Sequence, residues 1–150
     1  TNNFLVLRLS KIYGLKKGDN TIFDQAANQL RKREKIFAAQ DQFFCPTFID
    51  DLVRGIIEIQ NNDLRGYINL CSPEIWSRYE MLKLLAQLLN EDDQNLKRIN
   101  LYDLKEMDGR PLNTTMKSLI VKKLEIKFLP LKKALSLIAE NYFTNGHQKL

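Results

Sequence analysis

A four-residue segment near the end of the 150-residue chain, Arg110-Pro111-Leu112-Asn113, carries two side chains suited to a nucleotide. The Arg110 guanidinium can grip a phosphate through two parallel hydrogen bonds. The Asn113 amide can both donate to and accept from a base or a sugar. The alternative interpretation leaves Arg110 paired with a surface acid and gives it no ligand.

A second segment, Asp41 to Thr47, leads into an apolar stretch that predicts a helix. We expect Thr47 to be the N-cap of that helix, with Asp50 favoured by the helix dipole and Asp51 beside it in solvent. A helix N-terminus offers free N–H groups to an anion, which makes Gln42 and Thr47 candidate binding residues. Alternatively, Thr47 is only a cap and Gln42 only a loop amide.

A third candidate, Lys11, follows the unbroken apolar run from Phe4 to Leu7. Such a run predicts a strand buried on both faces, of the kind found inside a parallel sheet. Open α/β sheets bind ligands beyond the carboxyl ends of their strands, and a lysine there can pair with a phosphate. Lys11 is alternatively a solvated lysine at a strand end.

These segments must be positioned by alternating strands and helices, which predicts an α/β fold. Ser77 and Glu80 form a capping box, flanked by a hydrophobic staple of Trp76 and Met81. The remaining patterns predict strands at 36–39, 66–71 and 99–102, and helices at 21–34, 47–60, 77–89, 118–124 and 130–143. The buried strands are too few for a complete wound sheet.

Composition narrows the class of protein. A hydrophobic content of 44% and a charged content of 27% are typical of a globular domain, and no apolar stretch approaches the ~20 residues of a membrane span. Cys45 and Cys71 lie too far apart for a compact zinc site and are expected to be reduced core residues, which favours a cytoplasmic location. The net charge of +5 falls in short clusters without interleaved aromatics, which disfavours nucleic acid as a partner.

Four blocks in order, RLSKIYG, DQFFCPTFIDDL, GYINLCSPEIWSRYEML and GRPLNT, resemble the C-terminal half of dTDP-4-dehydrorhamnose reductases. This family of extended short-chain dehydrogenases/reductases binds NAD(P)H and reduces the C4 ketone of a 6-deoxysugar nucleotide. The resemblance implies that residues 1–20 are a late strand of the Rossmann-type nucleotide-binding sheet with its loop. Residues 21–150 would be mainly the small helical substrate-binding region.

The resemblance also implies roles for individual residues. Leu9 and Ser10 would face the nicotinamide of the cofactor. The nucleotide sugar would meet the residues of the three segments, namely Lys11, Gln42, Thr47, Arg110 and Asn113. No metal is implied.

The chemistry of the family is expected to be incomplete in this chain. Its glycine-rich loop and its catalytic Tyr-x-x-x-Lys pair belong to an N-terminal half, so we expect both to be lacking here and no NAD(P) to bind tightly to this chain alone. Two alternatives stay open. Lys11 stands where the family usually has Trp, or Asn in related epimerases, which leaves a nucleotide-sugar epimerase or dehydratase open. The same blocks also fit a non-catalytic subunit like the regulatory subunit of methionine adenosyltransferase. As for partners, the sequence leaves a homo-oligomer open.

Overall fold

The computed structural model describes residues 3–104 and 109–144 of the chain. These residues form an α/β fold. The helices are α1 (Ile22–Arg31), α2 (Ile49–Asn61), α3 (Arg78–Leu88), α4 (Leu119–Lys123) and α5 (Leu131–Thr144). The strands are β1 (Leu5–Arg8), β2 (Ile12–Tyr13), β3 (Ile36–Ala39), β4 (Phe43–Phe44), β5 (Thr47–Phe48), β6 (Gly66–Asn69), β7 (Trp76–Ser77) and β8 (Leu96–Ile99). None of the described helices combines the length and apolarity needed to cross a bilayer.

Local sequence signals account for most of these elements. The capping box at the start of α3 is confirmed, with the Ser77 hydroxyl accepting from the Glu80 N–H and the Glu80 carboxylate accepting from the Ser77 N–H. Trp76 packs against the same core cluster that contains Met81, as the staple requires. Strand β3 and helix α4 also lie where the patterns predict them.

Two predictions about local structure are wrong. Thr47 belongs to strand β5, and the N-cap of α2 is Phe48, which makes no side-chain cap. The strand predicted at 99–102 lies earlier, as β8, and residues 101–103 form a 3-10 turn. In both places a tertiary strand pairing sets the boundary and overrides the local signal.

The strands associate in four pairs. Three pairs are parallel, β1 with β6, β2 with β5 and β3 with β8, whereas β4 and β7 are antiparallel. Leu5 lies opposite Gly66 and Arg8 opposite Asn69. Parallel pairing brings the carboxyl ends of β1 and β6 to one edge, where the segments named above converge.

The first strand is not buried on both faces, which corrects the sequence-based prediction. Leu5 and Leu7 point into the protein, while Val6 and Arg8 point outward and Val6 is 41% exposed. Strand β6 repeats the pattern, with Tyr67 65% exposed beside Phe4. One face of this strand pair is therefore covered, and the other, which exposes Val6, Tyr67 and Arg8, is open to solvent.

Two hydrophobic clusters lie beneath these elements. The larger joins α1, α3, α5 and β3 around fully buried side chains such as Phe23, Leu85 and Leu135. The smaller lies between α2 and the β1–β6 pair. There Gly55 allows close approach, because a Cβ at that position would lie 2.9 Å from a methyl carbon of Leu70.

Candidate anion-binding site

The Arg-Pro-Leu-Asn segment is held beside strand β4. The Phe43 N–H donates to the Leu112 carbonyl at 2.7 Å, and the Thr114 N–H donates back to the Phe43 carbonyl at 3.0 Å. The side-chain amide of the buried Gln42 donates to the Pro111 carbonyl at 3.3 Å. Two segments that are almost 70 residues apart in sequence are thus joined into one wall.

Ser10 fastens the end of the first strand to this wall. Its hydroxyl donates to the Thr114 carbonyl at 3.2 Å and accepts from the Cys45 N–H at 2.9 Å. The next residue, Lys11, accepts through its carbonyl from the Thr47 N–H at 2.8 Å. The loops after β1 and β4 and the Arg-Pro-Leu-Asn segment therefore meet at one place.

Three cationic side chains converge there, and we call Lys11, Arg78 and Arg110 the cation cluster. Partial burial and the nearby charges of Arg78 and Arg110 lower the pKa of Lys11, although the residue as a whole is exposed. Burial and Arg110 lower the pKa of the half-buried Arg78. Among the described residues, no carboxylate lies within ion-pair distance of any of the three. Within residues 3–104 and 109–144, the cluster therefore carries positive charge without a paired carboxylate.

Sequence reasoning missed Arg78. This residue is the first of helix α3, and its N–H donates to the Gln42 carbonyl at 3.0 Å. A cation at a helix N-terminus is unfavourable, because it adds to the partial positive charge of the helix dipole. A basic residue directly after the capping serine was the signal that could have identified it.

The other predicted site residues differ in their availability. Asn113 and Arg110 are exposed, and the Arg110 carbonyl accepts from the Tyr102 hydroxyl at 2.9 Å. Leu9 is 40% exposed. Thr47 is 1% exposed, and its hydroxyl is committed, donating to the Cys45 carbonyl and accepting from the Ser72 N–H.

The prediction that Asp51 lies in solvent is wrong, because its carboxylate is buried. It is 1% exposed, pairs with Arg54, and accepts from the Leu129 N–H at 2.6 Å. It therefore joins α2 to the chain entering α5. Of the two acids in the first turn of α2, Asp50 is exposed, as predicted.

The expectation that the chain lacks a Tyr-x-x-x-Lys spacing is wrong, because Tyr13–Lys17 and Tyr79–Lys83 both have it. Neither pair is arranged to deliver a proton. The ammonium group of Lys17 lies over the Tyr142 ring, 5.2 Å from its centroid. That of Lys83 lies over the Tyr79 ring itself, 5.9 Å from the centroid.

The chain contains no G-x-x-G-x-x-G loop, and Ser10, one of two residues assigned to the nicotinamide, uses its hydroxyl within the protein.

Cys45 and Cys71 are buried free thiols that both contact the Met116 carbonyl. Burial and the proximity of Cys45 raise the pKa of Cys71 to about 12, as in an inert core thiol.

A sequence profile of the RmlD substrate binding domain matches residues 1–143. The chain belongs to this family. A comparison with curated proteins gives no match. The RmlD-type assignment agrees with the resemblance of the four sequence blocks.

Solved structures with the same fold include two dTDP-4-dehydrorhamnose reductases. The Clostridium acetobutylicum protein has a TM-score of 0.78 at 16% identity, over 93% of this chain and 49% of that one. The Bacillus anthracis protein, solved with NADP, has a TM-score of 0.74 at 20% identity, over 94% and 48% of the two chains. The UDP-glucuronic acid 4-epimerase of Bacillus cereus, solved with UDP-glucuronic acid and NAD, has a TM-score of 0.75 at 18% identity, over 95% and 46%.

This RmlD-type chain therefore spans about half the length of these solved structures. The reductases and the epimerase align equally well, so the likeness shows the extended short-chain dehydrogenase/reductase fold and does not separate their reactions. The family places the chain among sugar-nucleotide oxidoreductase-like proteins.

Proposed function

We propose that the cation cluster binds the diphosphate of a nucleotide sugar, and that this chain is the substrate-binding portion of a reductase acting on 4-keto-6-deoxysugar nucleotides with NAD(P)H. The observation that carries the proposal is the convergence of Lys11, Arg78 and Arg110 without a described counter-ion. Three cations held together repel one another, and an anion with two adjacent charged groups relieves that repulsion.

The arrangement around the cluster suits a diphosphate better than a single small anion. Arg110 and Arg78 reach it from different segments, so each can bind a different phosphate with its planar fork of N–H donors. The oxygen of the exposed Asn113 amide accepts from the Thr115 N–H at 2.8 Å, so its NH₂ group is the part that can donate to a base or sugar. Gln42 acts by position, because its backbone and side chain hold Arg78 and the Arg-Pro-Leu-Asn segment in place.

The reduction also needs a dinucleotide-binding site and a proton donor, and this sequence carries no G-x-x-G-x-x-G loop to hold a dinucleotide. A nucleotide-binding half, in the same polypeptide or in a separate one, would provide them. Strand β1 is the natural place for its attachment, since β1 pairs only with β6 among the described strands and leaves one face, with Val6 and Arg8, open to solvent. In this division of work, the chain holds the sugar nucleotide in position for a reaction centred on the other half.

Titration calorimetry with dTDP and UDP tests the binding proposal. We expect both diphosphates to bind and to raise the melting temperature, since a ligand that binds only the folded form must stabilise it. Arg78→Gln and Arg110→Gln should each weaken binding by about 10- to 100-fold, the cost of one lost charge-assisted contact. Lys133→Gln, on the exposed side of α5, is the matched control and should leave the affinity unchanged.

A failure to respond to either diphosphate would contradict the proposal and favour a non-catalytic interaction module. A second candidate, a nucleotide-sugar epimerase or dehydratase, is left open by Lys11, which is neither the tryptophan usual in the reductases nor the asparagine of related epimerases. Binding of UDP at least ten times tighter than dTDP would support a UDP-sugar epimerase over a dTDP-sugar reductase or dehydratase.

A further inference from the structure

The aromatic side chain of Tyr102 is attached to the cation cluster. Its hydroxyl donates to the Arg110 carbonyl at 2.9 Å, yet the residue as a whole is 51% exposed. A tyrosine combines a polar tip, which seeks a hydrogen-bond partner, with an apolar ring that offers contact area. Here the tip is bonded within the protein while the residue stays half open to solvent, so the ring is available to a ligand that reaches Arg110.

The backbone of Tyr102 is held as firmly as its hydroxyl. Tyr102 is the middle residue of the 3-10 turn at residues 101–103. The Asp103 carboxylate accepts from the Asn100 N–H at 2.8 Å, which closes the turn. The side chain of Leu101 is buried, and its N–H donates to the Asp41 carboxylate at 2.8 Å. Because the ring is fixed at both ends, binding a ligand against it costs little conformational entropy.

The same contacts join this turn to the segments that carry the cations. Asp41, which binds the turn, is followed by Gln42, whose carbonyl accepts from the Arg78 N–H at 3.0 Å. The turn is therefore connected through Asp41 to the segment that holds Arg78, and through the Tyr102 hydroxyl to Arg110. Two of the three residues of the cation cluster are thus linked to the turn that presents the ring.

A nucleobase is the ligand chemistry that suits an exposed ring at this place. Every base has a flat π face that can stack on an aromatic side chain, whatever the base. In a nucleoside diphosphate a single sugar joins the base to the diphosphate, so a diphosphate bound by Arg78 and Arg110 brings a base to their surroundings. Lys11 comes from the segment after β1, whereas Tyr102 comes from the segment after β8, so the two ends of a nucleotide sugar can meet different segments.

We propose that the Tyr102 ring is the platform on which the base of the nucleotide sugar stacks. The inference rests on the proposed binding of the diphosphate by the cation cluster. It assigns the base to the Tyr102 end of the site and the sugar to the Lys11 end, beside β1, where the nucleotide-binding half is proposed to attach. Since stacking tolerates any base, Tyr102 distinguishes a nucleotide from a diphosphate without a base, and does not distinguish thymine from uracil.

Titration calorimetry on the 150-residue chain tests this with UDP, dTDP and ribose 5-diphosphate, which matches UDP in its diphosphate but lacks the base. We expect both nucleotides to bind about tenfold tighter than ribose 5-diphosphate. Tyr102→Leu should weaken the binding of both nucleotides about tenfold and leave that of ribose 5-diphosphate within about twofold, because only the stacking partner is removed. Tyr102→Phe keeps the ring and should hold nucleotide affinity within about threefold of the parent chain. Phe37→Leu, which removes an exposed ring on β3, is the matched control and should change none of the affinities.

Four results would overturn the assignment of Tyr102. If Tyr102→Leu weakens ribose 5-diphosphate as much as UDP, Tyr102 only positions Arg110, and if it weakens neither, the base lies elsewhere. If the parent chain binds UDP and ribose 5-diphosphate equally, the base makes no contact, although the proposed diphosphate site stands. If none of the three compounds binds, the diphosphate site fails together with this inference. The comparison of UDP with ribose 5-diphosphate uses the parent chain alone, so it decides the matter even if Tyr102→Leu does not fold.

Discussion

The three-helix core and the β1–β6 strand pair differ in how completely they are covered. Helices α1, α3 and α5 enclose one another with β3, and side chains such as Leu85 and Ala134 are 0% exposed. The β1–β6 pair has α2 on one face only, and its other face exposes Val6 and Tyr67. The three-helix core is buried on all sides, whereas the β1–β6 pair has one face exposed to solvent.

This difference suggests how the family divides its work. The candidate diphosphate site lies where the two regions meet, with Arg78 at the start of a core helix and Lys11 just after the open strand pair. A rigid core can hold Arg78 in place without help. The open face of β1 and β6 is then available to a nucleotide-binding half, which would bring the cofactor to the same edge.

The largest loss of stability is expected from a substitution in the three-helix core. Leu85→Ala should destabilise the folded chain by about 2–5 kcal/mol, because it removes a fully buried side chain and the packed helices can only partly close the cavity. Urea unfolding followed by circular dichroism measures the change. Lys133→Ala on the exposed face of α5 is the control and should stay within about 0.5 kcal/mol of the parent chain.

A loss of stability below about 1 kcal/mol for Leu85→Ala would contradict the contrast between the two regions, since it would mean that the three-helix core is loosely packed. The prediction separates a well-packed core from one that becomes ordered only on association.

A smaller effect, dependent on pH, is expected where α5 meets the loop before α1. The buried Tyr142 hydroxyl donates to the Asp24 carboxylate, which also accepts from the Gly18 and Asn20 N–H groups. Burial by itself would raise the pKa of Asp24, but these hydrogen bonds and nearby Lys17 outweigh it, and the pKa is lowered. Tyr142→Phe should cost about 1.5–3 kcal/mol at neutral pH, the usual value for a hydrogen bond to a charged group.

The sign of the pH dependence follows from the lowered pKa. The folded state favours the Asp24 carboxylate, so its contribution is present above the unfolded pKa of about 3.9 and is lost as the pH falls through the folded value. The Tyr142→Phe penalty should therefore shrink as the pH falls below about 4, the unfolded pKa of an aspartate. Denaturation curves of both proteins across that range test this, and a penalty that stays constant with pH would contradict it.

Most helices could be predicted because their signals are local. The capping box of α3 depends on Ser77 and Glu80 alone, and the pattern of α1 depends on residues three or four positions apart. Thr47 was assigned wrongly because its pairing with Ile12 in β2 is a contact between distant segments. No local pattern reports such a contact, and the same reason explains the early position of β8.

The candidate site was predicted in part for a related reason. The sequence blocks identify Lys11, Gln42 and Arg110, and the structure brings these segments together. Thr47 is not positioned to contact a ligand through its hydroxyl, because this group is buried and donates to the Cys45 carbonyl. Arg78 was missed because the capping signal beside it already accounted for the segment, and its meaning emerges only when Lys11 and Arg110 are near.

The smallest change in stability is expected on the exposed face of β1, and it tests directly whether that face is uncovered in this chain. Val6→Thr keeps a β-branched residue and exchanges one outward methyl group for a hydroxyl, so it should change the stability of this chain by no more than about 0.5 kcal/mol. Leu7→Thr, one residue on and facing α2, is the matched variant and should cost about 1–3 kcal/mol. A large loss for Val6→Thr in this chain would show that the outer face is already covered. A nucleotide-binding half that packs on this face should reverse the result for Val6, since the hydroxyl would then be buried without a partner.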